Sequence, residues 1–181
     1  MELPRPGGGK AGAVVDDALV RYDALPPVAP AELRGLWRGF GEPSGHPLDG
    51  VLERVGWFGK RFDDDDRVHP LVFRTRRGLT SVHPGLVPLG LVLRIAPALR
   101  TAPAGAAFAV LRPLLATRRP RGRLREVRYR GVVSAALVYD DLPVVDAFRR
   151  DADGSVLGAM DARGMAQPYL FRLRRVAGGA G

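Results

Sequence analysis

At 181 residues the chain is long enough to bury one sizeable core, and one domain is expected. It has no cysteine, which excludes disulfides and thiolate chemistry, and its longest apolar runs, such as Leu86–Leu93 with Pro88 inside it, fall short of the roughly 20 residues a spanning helix needs. The formal charge of +9 is local, because between Arg94 and Arg130 ten arginines stand against a single acid, Glu126. Such a segment is either a solvated face or a patch for an acidic ligand or an anionic membrane surface. No helix-turn-helix, zinc-finger or aromatic RNA-binding signature accompanies it, so nucleic acid is not the expected partner. With no secretory signal pattern at the start, a cytoplasmic location is expected.

In chain order, residues 1–12 read as a disordered lead. Val14, Val15, Ala18, Leu19 and Tyr22 then recur at helical spacing until Pro26-Pro27 stops them. Leu33 to Gly41 alternates with period two and predicts a strand, in which Gly35, Gly39 and Gly41 need a close backbone approach or a sharp bend of the sheet. Leu48, Val51, Leu52 and Val55 predict a short helix. Trp57–Phe62 and Val68–Arg74 predict a strand pair, with Asp63 to Asp66 as its exposed loop, and Thr80–Val82 adds a short strand. The character changes between 86 and 117, where two helices, Leu89–Leu99 and Ala104–Leu115, are expected as an insertion covering an open sheet end or lying on a partner surface. Strands follow at Arg123–Arg130, Val132–Tyr139, Val144–Arg150, Val156–Met160 and Tyr169–Val176, at the spacing of an antiparallel meander. The expected organisation is a single domain over 13–176 and a flexible tail at 177–181.

The stretch from Gly35 to Phe62 holds both tryptophans and one of only two lysines, interleaved with glycines, which suits a pocket wall. GLWRG, SGHPLDG, GWFGKRF and VHPLVF in the first half, with YRGVVSAALVYDDLPVVDAFRR and VLGAMDARGMAQPYLFRLRR in the second, resemble a bacterial GXWXG-domain family whose C-terminal half is a domain of unknown function. The resemblance covers about residues 20 to 176. It implies an α+β, mainly β fold: a small antiparallel β-barrel of calycin type, similar to the lipocalin and fatty-acid-binding group, with an N-terminal helix and a central helical insertion. Proteins of that group bind apolar small molecules. Gly35 to Gly41 is also similar to the opening strand of the nitrobindins, haem-binding barrels whose iron ligand is a histidine near the C-terminus. Here the last histidine is His83, so a haem ligand would have to come from His46, His69 or His83; otherwise no cofactor is expected.

Individual residues give two readings. As a carrier or sensor, the protein would bind an apolar, acid-headed small molecule, with Trp37, Trp57, Phe73 and Tyr139 as wall and Lys60 as anchor. Strand parity places Trp57 and Phe58 on opposite faces and Lys60 with Phe58 and Phe62. An inward Lys60 would need a ligand carboxylate, Asp49 or Asp161 as counter-charge, because a buried unpaired ammonium is very costly. As an isomerase, cyclase or hydrolase, the protein would use His46, Asp49, Lys60 and His69 for acid/base work, with Asp49, three residues after His46, orienting the imidazole. Ser44 and Ser134 lack a nucleophile context, and the histidines lack metal-ligand spacing, so no metal is expected. Asp146 and Asp161 lie on apolar strands, where a carboxylate is either edge-exposed or paired with an arginine, the pair being the first expectation.

Overall fold

The computed structural model describes residues 10–177. Residues 1–9 of the expected lead and 178–181 of the expected tail lie outside the described residues, and Lys10 to Gly12 already belong to α1 (Lys10–Ala24). A 3-10 turn at Pro30–Leu33 takes the first residues of the expected opening strand, so β1 runs over Gly35–Gly41. Then come α2 (Val51–Arg54), β2 (Trp57–Phe62), β3 (Val68–Thr75) and β4 (Gly78–Val82). The two helices of the insertion are α3 (Leu89–Leu99) and α4 (Ala102–Leu115), followed by a two-residue β5 (Ala116–Thr117) that the sequence did not suggest. The meander is β6 (Gly122–Tyr129), β7 (Val132–Tyr139), β8 (Val144–Arg150), β9 (Val156–Ala162) and β10 (Tyr169–Arg175).

All the pairings are antiparallel, and eight strands close on themselves in the order β2-β1-β10-β9-β8-β7-β6-β3, with β3 returning to β2. The closure is thin. β3 pairs with β6 only at Val68↔Gly122, while its later residues, Val72 to Thr75, pair with β4 instead. The ring's interior is apolar, with Phe62, Phe148 and Phe171 packed edge to face, as suits aromatic quadrupoles. Helix α1 covers the outside of the meander. Its Tyr22 is fully buried against Leu157, Ala159 and Leu170 and donates a hydrogen bond to the Ala147 carbonyl at 3.0 Å. No described helix is long and apolar enough to cross a membrane.

The run Asp63 to Asp66 forms the β2–β3 loop, and each carboxylate meets an arginine: Asp63 with Arg61, Asp64 with Arg67, Asp65 with Arg34 and Asp66 with Arg125. Part of the arginine excess is thereby neutralised locally.

Candidate functional site

Gly59 sets the site. It adopts φ +150°, and a Cβ there would stand 2.0 Å from the Trp37 carbonyl oxygen, so only glycine lets β2 approach β1 this closely. The β2–β3 register shifts on either side of Gly59, which is a β-bulge. The bulge resets the strand's alternation. Trp57 and Lys60, which simple parity puts on opposite faces, both turn into the ring, together with Phe62.

Inside, Lys60 Nζ lies 2.7 Å from Asp146 Oδ2, and neither side chain is more than 3% exposed. The ammonium also donates to the Tyr139 hydroxyl at 3.1 Å and to the Pro70 carbonyl at 3.3 Å, and the Tyr139 hydroxyl donates to Asp146 Oδ2 at 3.0 Å. Three aromatic faces surround the charge, with Phe171, Tyr139 and Trp57 ring centres 4.9, 5.5 and 5.7 Å from Nζ. Burial pushes the Asp146 carboxyl above its ordinary range, while Lys60 and Tyr139 pull it back down; burial and the neighbouring carboxylate push the Tyr139 phenol well up, which keeps it a neutral donor. Asp146 Oδ1 and Trp57 Nε1 are buried without a hydrogen-bond partner.

The Lys60–Tyr139–Asp146 cluster underlies a cavity of about 100 Å³ walled by Leu48, Leu71, Val144, Met160 and the rings of Trp57 and Phe171. A second cavity of about 350 Å³ adjoins it beneath α3 and α4, and Val51, Leu52, Leu71, Val87 and Val92 belong to both. Both walls are almost wholly apolar.

Residues 21–78 match the family model described as GXWXG protein, and residues 120–175 match Domain of unknown function (DUF4334). The crystal structure of a protein from Thermomonospora curvata is 34% identical, with 89% of this chain and 86% of that one covered at a TM-score of 0.65. The chain belongs to the GXWXG family. No curated protein matches it.

In this GXWXG protein the motif glycines and tryptophan are structural. A Cβ on Gly39 would come within 2.2 Å of the Trp57 ring, so the motif's second glycine makes room for the cavity-wall indole. Trp37 itself lines neither cavity. Its Nε1 donates to the Leu33 carbonyl at 2.6 Å and Arg175 covers its ring at 4.5 Å, so it plugs the ring's end.

Several expected site residues fall elsewhere. Lys60 is paired with Asp146 and not with Asp49 or Asp161, because Asp146 shares an inward parity with Val144 and Phe148 whereas Asp161 is exposed. Asp146 thus has a lysine where an arginine was expected. Asp49 does not orient the His46 imidazole; its Oδ2 accepts the backbone N–H groups of Ser44, Gly45 and His46, tying off the turn. His46 Nδ1 accepts from the Leu48 amide, its ring packs on Tyr169, and burial lowers its pKa. His69 points away from the cavities, bonded to Arg61 and Ser81, with its pKa lowered first by burial and then by Arg61. Phe73 walls the second cavity and Tyr139 the first. Of the residues named for acid/base work, only Lys60 reaches the cavities. The wall also includes Phe171, Met160, Leu48 and Leu71, which lie inside the quoted motifs but look, as apolar residues, like any other core positions of their elements.

The histidines do not fit haem. None of His46, His69 and His83 lines either of these two cavities, and each has a ring nitrogen held by a neighbour, the Gly85 amide in the case of His83. Among the described residues no cluster of three His, Asp or Glu side chains could hold a metal ion.

Proposed function

We propose that the protein binds an apolar, uncharged small molecule in the two adjoining cavities, as a carrier or sensor built on a small calycin-like barrel. The observation that carries this reading is an apolar cavity pair whose one buried cation, Lys60, is already neutralised by Asp146. An acid-headed ligand, the expectation from sequence, would have to displace Asp146 from Lys60 and leave a buried carboxylate with no cation, which costs several kcal/mol. A neutral ligand avoids that cost. Together the cavities fall at the lower end of the volume range of small-molecule sites.

Nile red, an uncharged apolar fluorophore, tests this. Its emission is expected to rise saturably with the protein, long-chain alcohols to displace it at least about tenfold better than fatty acids of equal length, and Leu71→Trp, which fills the wall shared by both cavities, to abolish uptake. No saturable rise, or equal uptake by Leu71→Trp, would refute the reading.

One observation favours an enzyme as the second reading. Tyr139, on the cavity wall, is a neutral phenol held between an ammonium and a carboxylate, a placement suited to proton transfer in an isomerase or cyclase. That reading requires a pH-dependent turnover that Tyr139→Phe removes while the variant stays folded, and a Tyr139→Phe protein that retains full turnover would sink it.

A further inference from the structure

The region over the larger cavity combines arginines that lack carboxylate partners with exposed apolar side chains. From Arg67 to Arg125 the chain carries twelve arginines and no acid. Arg67, Arg121, Arg123 and Arg125 are tied to carboxylates outside that stretch, but the exposed Arg76, Arg77, Arg94, Arg118 and Arg119 have no carboxylate partner among the described residues. On α4, Val110 and Leu114 are 76% and 79% exposed and stand one helical turn apart on the same side. A groove of about 870 Å³ between the β3–β4 turn and α4 is lined by Arg76, Arg77, Arg118 and Val110, so cations and apolar side chains share one face. Leu111 and Leu114 wall the larger cavity and are also more than half exposed, so the cavity reaches the surface at that face.

We propose that this face docks on an anionic lipid bilayer. Val110 and Leu114 enter the boundary between headgroups and acyl chains, and Arg76, Arg77 and Arg118 meet the lipid phosphates, the pattern by which interfacial helices lie on membranes. A nucleic acid would satisfy the arginines but leave the valine and leucine in water. A neutral apolar surface would do the reverse. Docked in this way, the protein exchanges its ligand with the bilayer through the cavity mouth without passing it through water; this second half rests on the binding reading above, whereas the docking does not.

Co-sedimentation of the full chain with vesicles of phosphatidylcholine alone, and with vesicles also containing phosphatidylglycerol, tests the docking. Binding is expected to be at least about tenfold stronger to the anionic vesicles and to fade in high salt. Val110→Glu and the pair Arg76→Glu with Arg77→Glu should each weaken it at least about tenfold, with melting temperature unchanged. Absence of binding to either vesicle, wild-type binding by both variants, or retention on heparin without vesicle binding would overturn the proposal, the last in favour of a nucleic-acid-like polyanion. Nile red uptake in vesicle-free buffer reads the cavity separately. Both variants should take it up like the wild type, and its failure in the wild type would refute ligand binding while leaving the docking result to stand.

Discussion

Lys60 and Asp146 are each tolerated in the interior only because of the other. The pair is weak evidence for stability as such, since two charges have left water, but removing one partner leaves the other without compensation. Lys60→Met is therefore expected to lower the unfolding free energy by about 3–5 kcal/mol in urea titrations near neutral pH. Asp146→Leu combined with Lys60→Met should recover most of that loss. The sign of the pH dependence follows from the carboxyl. Burial raises its folded pKa above the unfolded value, and without Lys60 nothing cationic opposes that rise, so the folded variant binds the proton more tightly than the unfolded chain. Its stability is then greatest in acid and falls as pH rises through the folded pKa, so the deficit of Lys60→Met against wild type should shrink on acidification. A deficit that stays constant or widens as pH falls would show that Asp146 is not the group left uncompensated.

At the scale of the element, the site depends on β1 and β2 lying closer than side chains allow. Gly39 and Gly59 provide that closeness, one for the Trp57 ring and one for the Trp37 carbonyl. Gly39→Ala places a methyl group in the indole, an overpacking expected to cost about 1–3 kcal/mol and to shift Trp57 emission to the red as the ring is pushed outward. Gly59→Ala should cost more, because its obstacle is backbone and its φ of +150° also disfavours a side chain. Urea midpoints for the two variants, read with tryptophan emission, check the order. The alternating glycines of β1 were visible in the sequence, but they pointed first to a sharply curved sheet and only as the alternative to the close approach found at Gly39. The identity of what approaches was not, since Trp57 lies eighteen residues from Gly39. The bulge at Gly59 was equally hidden: a single glycine in GWFGKRF does not announce a register shift, and strict alternation then keeps Phe62 with Lys60 but sets Trp57 on the opposite face.

For the whole molecule, the ring and the helical insertion should differ in local stability. β6 to β10 form an unbroken run of antiparallel neighbours around a buried aromatic core, whereas α3 and α4 rest over a cavity with Val110, Leu111 and Leu114 in solvent. Amides of α3 and α4 are expected to exchange with deuterium well before those of β7 to β9, and Nile red should slow the helices selectively. Uniform protection across both parts would contradict that division. The sequence by itself determined the element order, the meander, the helical insertion and its bounds to within a few residues, and the family, because periodicity, turn residues and motifs are local properties. It also named Trp57 and Tyr139 as wall residues and Lys60 as an ammonium in aromatic company. Only the tertiary structure decided that Asp146 on β8 neutralises Lys60 on β2, that Asp49 serves a turn and not a histidine, and that Asp161 faces water. Those outcomes depend on which strands meet across the ring and on one bulge that resets side-chain parity, and no spacing along the chain encodes either.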